Sequence, residues 1–200
     1  MSGEYNINPK ILNITPYQPG KPIEEVKRQL GLKEVIKLAS NENPLGPSPK
    51  AVKAIKGALG KINRYPEGSC FYLRRALSKK LKVGPDNLIF GNGSDELIDI
   101  IIKTFCREGE EILTSEVTFL EYQIIAQQNG RLVRTVPSKD FKYDLSALRE
   151  NISPKTRVIF IANPNNPTGS YVHKREVEDF ILSLPENILV VFDEAYVEFV

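Results

Sequence analysis

Two polar segments follow apolar runs of the chain and carry side chains that could bind a small molecule. The sequence NPNNPTG at residues 163–169 follows the apolar run 158–162, and Asp193 follows the apolar run 188–192. Short, continuous β-branched and aromatic runs are typical of strands buried on both faces of a parallel sheet. The carboxyl ends of such strands share one edge of the sheet, where ligands bind in α/β proteins. We therefore expect Asn166 and Asp193 to lie together at a ligand-binding edge.

Each of these residues also has a purely structural interpretation. Asn-Pro and Pro-Thr-Gly form turns, and an aspartate after a strand often only caps the next helix. Taken singly, the structural role is the commoner one. Together the two segments are more specific, because two prolines and a glycine stiffen the loop around one amide, and a carboxylate that follows an apolar strand is costly to bury without a partner. The pair favours a ligand with a positively charged atom facing Asp193.

A third polar segment, GNGSDE at residues 91–96, lies between a predicted strand and a predicted helix. Backbone N–H groups and the helix dipole bind phosphate at that position. The segment begins like a dinucleotide-binding fingerprint but has Glu96 where the third glycine belongs, which argues against a nicotinamide enzyme. The structural alternative is that Ser94 is simply the N-cap of the helix.

The elements that must position these segments alternate along the chain. Such alternation predicts an α/β layered fold with a mostly parallel sheet. Residues 1–20 have no period and are predicted to form an arm. Helices are predicted at residues 22–30, 49–59, 71–81, 95–105, 119–128, 145–150 and 176–184, and strands at residues 35–38, 88–90, 111–114, 131–136, 158–162 and 188–192.

The composition of the chain indicates which kinds of partner and metal ion it is expected to bind or not to bind. The chain of 200 residues is 41% hydrophobic and 26% charged, which is typical of a globular protein with a sizeable core. Its net charge is only +2 and its basic residues are scattered, so we expect no nucleic-acid or membrane partner. Two isolated cysteines and a single histidine argue against a metal site. Without a signal-like or membrane-spanning apolar run, the sequence predicts a cytoplasmic protein.

The motif NPTG at residues 166–169, followed by DEAY at residues 193–196, resembles the signature of the fold-type I pyridoxal-phosphate aminotransferases. The motifs Asn43-Pro44, RYP at 64–66, GNGSDE at 91–96 and AYVEF at 195–199 are similar to the histidinol-phosphate aminotransferase family within it. The resemblance extends from about Tyr17 to Val200. It implies the α/β/α large domain of that fold, truncated, with residues 1–35 as an N-terminal arm and part of the small domain and residues 36–200 as the cofactor-binding domain.

The same resemblance implies that pyridoxal 5'-phosphate is the cofactor. Its phosphate would bind the backbone N–H groups of Ser94, Asp95 and Glu96. Phe119 would stack on its ring, although a core position is the commoner role of any one phenylalanine. Many members of the family have tyrosine at this position, so Phe119 would stack without donating a hydrogen bond.

The catalytic roles implied by the resemblance belong to three residues. Asp193 would hold the pyridine nitrogen protonated, so that the ring accepts electrons from the bond broken at the substrate. Asn166 and Tyr196 would both donate hydrogen bonds to the phenolate oxygen.

Three further residues would act at the edges of the site. Tyr65 would reach the cofactor phosphate of the other subunit of a homodimer, although a buried core tyrosine is the structural alternative. Tyr17 and Asn43 would lie on the substrate side. The lysine that forms the Schiff base, and the arginines that bind substrate, follow Val200 in the family, so the resemblance implies that residues 1–200 lack that lysine and are inactive alone.

The implied reaction is the transamination of histidinol phosphate with 2-oxoglutarate, which yields glutamate, in histidine biosynthesis. A threonine-phosphate decarboxylase or an aromatic aminotransferase would share the cofactor motifs and stays open at this point. From a different class, the chain could be a non-catalytic fragment that folds and dimerises.

Overall fold

The computed structural model describes residues 9–200. The predicted arm at residues 1–20 therefore lies partly outside the described residues, and within it Pro9–Leu12 forms a short helix, α1. The chain divides into two compact units. The sheet unit contains Gly91–Val200 together with the segment that ends at Tyr17, and the helical unit is Gln18–Phe90. The domain boundary expected between residues 35 and 36 stays a prediction.

The helical unit contains three α-helices that the sequence predicts closely. They are α2 (Ile23–Leu30), α3 (Pro49–Ala58) and α4 (Phe71–Leu81), and α3 continues into a 3₁₀ turn at Leu59–Lys61. Gly31 ends α2 in the left-handed conformation, at φ +64°, as a C-terminal glycine does. No residue of this unit is buried, although all of it is described.

Two strands predicted in the helical unit are wrong. Residues 35–38 and 88–90 form neither a strand nor a helix. A strand needs a neighbour for its backbone hydrogen bonds, and neither segment has one among the described residues. The Leu88 carbonyl instead accepts a hydrogen bond from Arg74, whose guanidinium also lies 5.0 Å from the ring centre of Phe90.

The sheet unit contains a parallel sheet. Its strands are β1 (Glu111–Ser115), β2 (Leu132–Val136), β3 (Thr156–Ala162) and β4 (Leu189–Asp193), in the order β2-β1-β3-β4. The register pairs Ala162 with Asp193, so the last residues of β3 and β4 are neighbours. The predicted strands are confirmed to within two residues at their ends, and so is the adjacency of their carboxyl ends.

Helices cover the sheet on both faces and produce an α/β/α sandwich. α5 (Gly93–Phe105) and α6 (Glu121–Gln128) pack on one face, while α7 (Leu145–Glu150) and α8 (Lys174–Leu182) pack on the other. Alternate residues of β3 pack into two hydrophobic cores, the first between the sheet and helices α5 and α6, the second between the sheet and helices α7 and α8. Val158 and Phe160 belong to the first core, and Ile159 and Ile161 belong to the second. Since side chains alternate across a strand, this is the pattern of a strand buried on both faces.

Helix boundaries differ from the prediction by up to two residues. α6 begins at Glu121 instead of residue 119, so Phe119 lies in the loop before it. α8 begins at Lys174 because the Glu176 carboxylate accepts a hydrogen bond from the His173 backbone N–H at 3.1 Å, which stabilises the first turn.

A buried carboxylate lies at the start of β1. Glu111 is 4% exposed, and its Oε1 accepts hydrogen bonds from Arg134 at 3.0 Å, Ser153 at 2.7 Å and Thr156 at 2.7 Å. Burial alone would raise the pKa of Glu111, but the hydrogen bonds from Ser153, Arg134 and Thr156 outweigh it and lower the pKa. This carboxylate links β1 to β2, β3 and the loop before β3.

We expect Glu111→Gln to lower the free energy of unfolding by about 1.5–3 kcal/mol near pH 7, since hydrogen bonds to a charged group are lost. Because the pKa is lowered by folding, the unfolded protein binds more protons on acidification. The contribution of Glu111 is therefore present above the unfolded-state pKa of about 4.3 and is lost as the pH falls through the folded-state pKa. Urea denaturation between pH 7 and pH 3 should show the two proteins converging. Glu186→Gln, at an exposed position, is the control, and a constant difference across this range would contradict the assignment.

Candidate functional site at the ends of the strands

A cavity of about 80 Å³ opens at the carboxyl ends of β3 and β4. Five of the residues selected from the sequence line it, although they come from four separate segments of the chain. The lining residues are Ser94, Phe119, Ala162, Pro164, Asn166, Asp193, Ala195 and Tyr196. The folding of the sheet unit therefore brings a carboxylate, an amide, a phenol, an aromatic ring and a helix start to one place.

The NPNNPTG loop is held by buried amides that the sequence analysis did not single out. The side chain of Asn163 donates to the carbonyl of Val172 at 2.9 Å and accepts from its N–H at 2.8 Å. The side chain of Asn165 donates to the carbonyl of Val117 at 3.0 Å and to the hydroxyl of Thr168 at 2.9 Å. The expected stiff loop is thus anchored by two asparagines, and the repeated asparagines in the motif were the available signal.

The buried hydroxyl groups of Thr118 and Tyr143 also stabilise this loop, through Asn165. Thr118 Oγ1 donates to Asn165 Oδ1 at 2.9 Å and is also hydrogen-bonded to the hydroxyl of Tyr143, which accepts from the Ala162 N–H at 3.1 Å. Burial raises the pKa of Tyr143, so this phenol stays protonated. These contacts hold Asn166, which is half-buried, at the cavity wall.

Both oxygens of Asp193 have donors. The hydroxyl of Tyr122 donates to Oδ2 at 2.7 Å, and the backbone N–H of Ala195 donates to Oδ1 at 3.1 Å. The contact with Ala195 is a local turn contact at the end of β4 and not the helix cap considered for this aspartate, because the N-cap of the following 3₁₀ helix, Val197–Phe199, is Tyr196. The contact with Tyr122 was not anticipated, because it joins residues that are 71 positions apart in the chain.

The first turn of α5 lies beside the cavity, and its N-cap is not the residue that the structural interpretation named. The N-cap of α5 is Asn92, so the interpretation of Ser94 as the N-cap is wrong. Gly93 follows at φ +76°, a conformation that favours glycine. Ser94 and Asp95 belong to the first turn, whose N–H groups have no acceptor within a regular helix. Glu96 lies one position further in, and its carboxylate accepts from the Asn92 N–H at 2.5 Å.

The remaining predicted residues are not among those that line the cavity. Asp95 and Glu96 are exposed and do not line it, and neither does Tyr17, which belongs to the sheet unit. Asn43 and Tyr65 belong to the helical unit. Asn43 Oδ1 accepts from the Leu45 N–H at 2.9 Å, and Tyr65 is 99% exposed, so its alternative as a buried core tyrosine is wrong for this chain. The functional roles of all five stay predictions.

A larger cleft of about 620 Å³ lies elsewhere in the sheet unit, beside α7 and α8. Its walls carry Lys142 and Arg149 together with Asp144 and Asp179, so the charges largely balance. None of the residues selected from the sequence line it. We therefore place the candidate site at the smaller cavity. Within residues 9–200, no group of three or more His, Cys, Asp or Glu side chains could hold a metal ion, and no helix is long and apolar enough to cross a membrane.

An α/β/α sandwich with a ligand cavity at the carboxyl ends of parallel strands is the architecture of a small-molecule-binding α/β protein. The chain belongs to the family of class I and II aminotransferases, whose family model matches residues 33–200. This result confirms the family resemblance that the motifs indicate.

The relatives are similar over nearly the whole chain. The histidinol-phosphate aminotransferase of Moorella thermoacetica is 50% identical over 190 residues, which cover 95% of this chain and 49% of that protein. That of Desulfotalea psychrophila is 49% identical over 194 residues, covering 97% and 51%. The chain thus spans about half the length of the curated relatives it matches.

Solved structures agree on the fold. The histidinol-phosphate aminotransferase of Sinorhizobium meliloti, in complex with pyridoxal-5'-phosphate, superposes with a TM-score of 0.87 at 30% identity, covering 98% of this chain and 53% of that one. The predicted fold class, part of the large domain of the fold-type I transferases, is confirmed.

Proposed function

We propose that the whole protein is a pyridoxal-phosphate-dependent aminotransferase that converts histidinol phosphate, with 2-oxoglutarate as the amino acceptor, in histidine biosynthesis. The names of the relatives support the substrate, and the cofactor in the Sinorhizobium meliloti structure supports the chemistry. The observation that carries the proposal is the convergence of Asp193, Asn166, Tyr196, Phe119 and Ser94 at one cavity.

The residues present fit this cofactor, which is a flat ring with a cationic nitrogen at one end and a phosphate at the other. A carboxylate, Asp193, suits the nitrogen, and the start of α5 at Ser94 suits the phosphate. Phe119 provides an aromatic face for the ring. The cavity of about 80 Å³ is smaller than the roughly 300–1,000 Å³ of typical ligand pockets, so the described walls enclose only part of such a ligand.

Each residue then has one task. When bound, pyridoxal phosphate supplies an electron sink for the bond broken at the α-carbon of the substrate. Asp193 would keep a proton on the ring nitrogen, because a carboxylate stabilises a neighbouring cation. Asn166 and Tyr196 would donate to the phenolate oxygen and lower its basicity. The N–H groups of Ser94, Asp95 and Glu96 would bind the phosphate, and Phe119 would orient the ring and exclude water from it.

The proposal is tested by assaying the purified whole protein with pyridoxal phosphate, 2-oxoglutarate and candidate amino donors. Histidinol phosphate should react with a higher kcat/KM than threonine phosphate or aromatic amino acids, and glutamate should be formed. Borohydride reduction followed by peptide mapping should place the labelled lysine outside residues 1–200. A preference for another donor would reject the substrate, and the absence of any turnover would favour the non-catalytic fragment.

A homodimer is part of the proposal, and the exposed apolar residues of the helical unit support it. Ile36, Leu38 and Leu45 are 88%, 90% and 93% exposed, so these large apolar side chains are available for contact with a partner subunit. Tyr65 is 99% exposed among residues 9–200, which suits a side chain that would reach a partner subunit.

We expect Tyr65→Phe to weaken the retention of pyridoxal phosphate in the dimer by about 1.5–3 kcal/mol, since a hydrogen bond to a charged phosphate is lost. The dissociation constant of the cofactor measures the effect. Tyr72→Phe is a matched control, because Tyr72 is also an exposed tyrosine of the helical unit.

Mixed dimers separate the two subunits in this experiment. One subunit carries Tyr65→Phe, and its partner lacks the lysine that binds the cofactor. The only functional site then receives an intact Tyr65 from the partner and should retain its cofactor normally. Weak retention in that site would disprove the cross-subunit role.

A further inference from the structure

Tyr122 is a buried residue on α6 that contacts the candidate site without lining its cavity. Its side chain is 0% exposed, and its ring stacks on Phe160 with centroids 4.8 Å apart and planes 13° apart. It also meets the ring of Phe119 edge-on, at 5.5 Å. Two aromatic contacts in a close-packed interior leave this ring little freedom to move.

The hydroxyl of Tyr122 is the donor of its hydrogen bond with Asp193, because an ionised carboxylate can only accept. Burial, followed by the negative charge of Asp193 and the hydrogen bond to it, raises the pKa of Tyr122, so the phenol keeps its proton. A buried hydroxyl without a partner is costly, so the phenol and the carboxylate each favour this arrangement.

Two donors on different oxygens determine the orientation of the Asp193 carboxylate. Tyr122 holds Oδ2 and the Ala195 N–H holds Oδ1, so rotation of the carboxylate would strain both hydrogen bonds. Each carboxylate oxygen has two lone pairs, which leaves capacity for a further bond to a ligand. Of the two donors, Ala195 is two residues from Asp193 in the chain, whereas Tyr122 lies on α6. The packing of the Tyr122 ring in the core therefore fixes the position of the donor that holds Oδ2.

We propose that Tyr122 is a positioning residue that aims the Asp193 carboxylate at the ring nitrogen of the cofactor and ties its placement to that of Phe119. This inference deepens the proposed function and rests on it. Tyr122 does not touch the ligand in this role. Its buried side chain contacts both Asp193, which would hold the ring nitrogen, and Phe119, which would stack on the ring.

The test uses Tyr122→Phe in the whole protein, since this change keeps the ring and removes only the hydroxyl. Binding of pyridoxal phosphate is compared with binding of its analogue in which carbon replaces the ring nitrogen. We expect the preference for pyridoxal phosphate over the analogue to fall by about tenfold, the effect of one hydrogen bond to a charged group. A change in general packing would weaken both ligands equally and leave the preference unchanged.

Tyr171→Phe is the control, because Tyr171 is a partly buried tyrosine of the sheet unit whose ring contacts His173 and which does not line the candidate cavity. This control should leave the preference between the two ligands unchanged, even if it weakens both. An equal loss of preference in both variants would overturn the role of Tyr122.

A second measurement needs no cofactor. Infrared difference spectra of the cofactor-free protein, with the Asp193 band identified from Asp193→Asn, should show that the carboxylate stretch shifts in Tyr122→Phe. The phenol C–O stretch of Tyr122 should shift in turn in Asp193→Asn. An unshifted carboxylate band together with an unchanged ligand preference rejects the proposal. If the wild-type protein does not prefer pyridoxal phosphate to the analogue, the proposed function is at fault, and the infrared bands alone decide whether Tyr122 orients Asp193.

Discussion

Replacing Asp193 with Asn should leave the whole protein able to bind pyridoxal phosphate and substrate but should lower kcat by several orders of magnitude. Asparagine keeps the shape of the side chain and removes the charge that would hold a proton on the ring nitrogen. A neutral ring is a poor electron sink, so the loss falls on the transition state instead of on binding. Steady-state kinetics with spectroscopic measurement of bound cofactor separate the two effects.

Asp179→Asn provides the comparison, because Asp179 is an exposed carboxylate on α8 that does not line the candidate-site cavity at the ends of β3 and β4. Its kcat should match that of the wild-type protein. If Asp193→Asn retained near wild-type kcat with a full complement of cofactor, Asp193 would be only a strand-end residue that accepts from the Ala195 N–H.

Phe160→Ala should be the most destabilising core substitution considered, at about 3–5 kcal/mol. Phe160 is fully buried in β3, and its ring supports the ring of Tyr122. Truncation removes apolar contacts and leaves a cavity that a sheet flanked by helices cannot close. Equilibrium denaturation in urea measures the loss.

The control for this change is Phe141→Ala, since Phe141 is 73% exposed. Surface substitutions usually change stability by less than about 0.5 kcal/mol. A loss below about 1 kcal/mol in Phe160→Ala would mean that the first core tolerates the missing ring, contrary to close packing. A large loss should also weaken the preference for pyridoxal phosphate over its carbon analogue, because Tyr122 loses its support.

Local patterns in the sequence determined the parts of the fold that depend on short-range periodicity. The apolar runs that became β3 and β4 could be recognised because strands buried on both faces need continuous apolar residues. Their parallel pairing then places residues 163–169 beside Asp193, so the site of Asn166 and Asp193 could be predicted from chain order alone.

Only the tertiary structure decided which segments found partners. Residues 35–38 and 88–90 have strand-like composition but no neighbouring strand within residues 9–200, because backbone pairing is a property of two segments and not of one. For the same reason the role of Tyr122 could not be predicted from the sequence, since its contact with Asp193 depends on how α6 packs against β3 and β4. The hydrogen bonds by which Asn163 and Asn165 anchor the NPNNPTG loop could not be predicted either. A hydrogen bond between residues far apart in the chain leaves no periodic signal, and it exists only once packing has brought the two side chains within about 3 Å of each other.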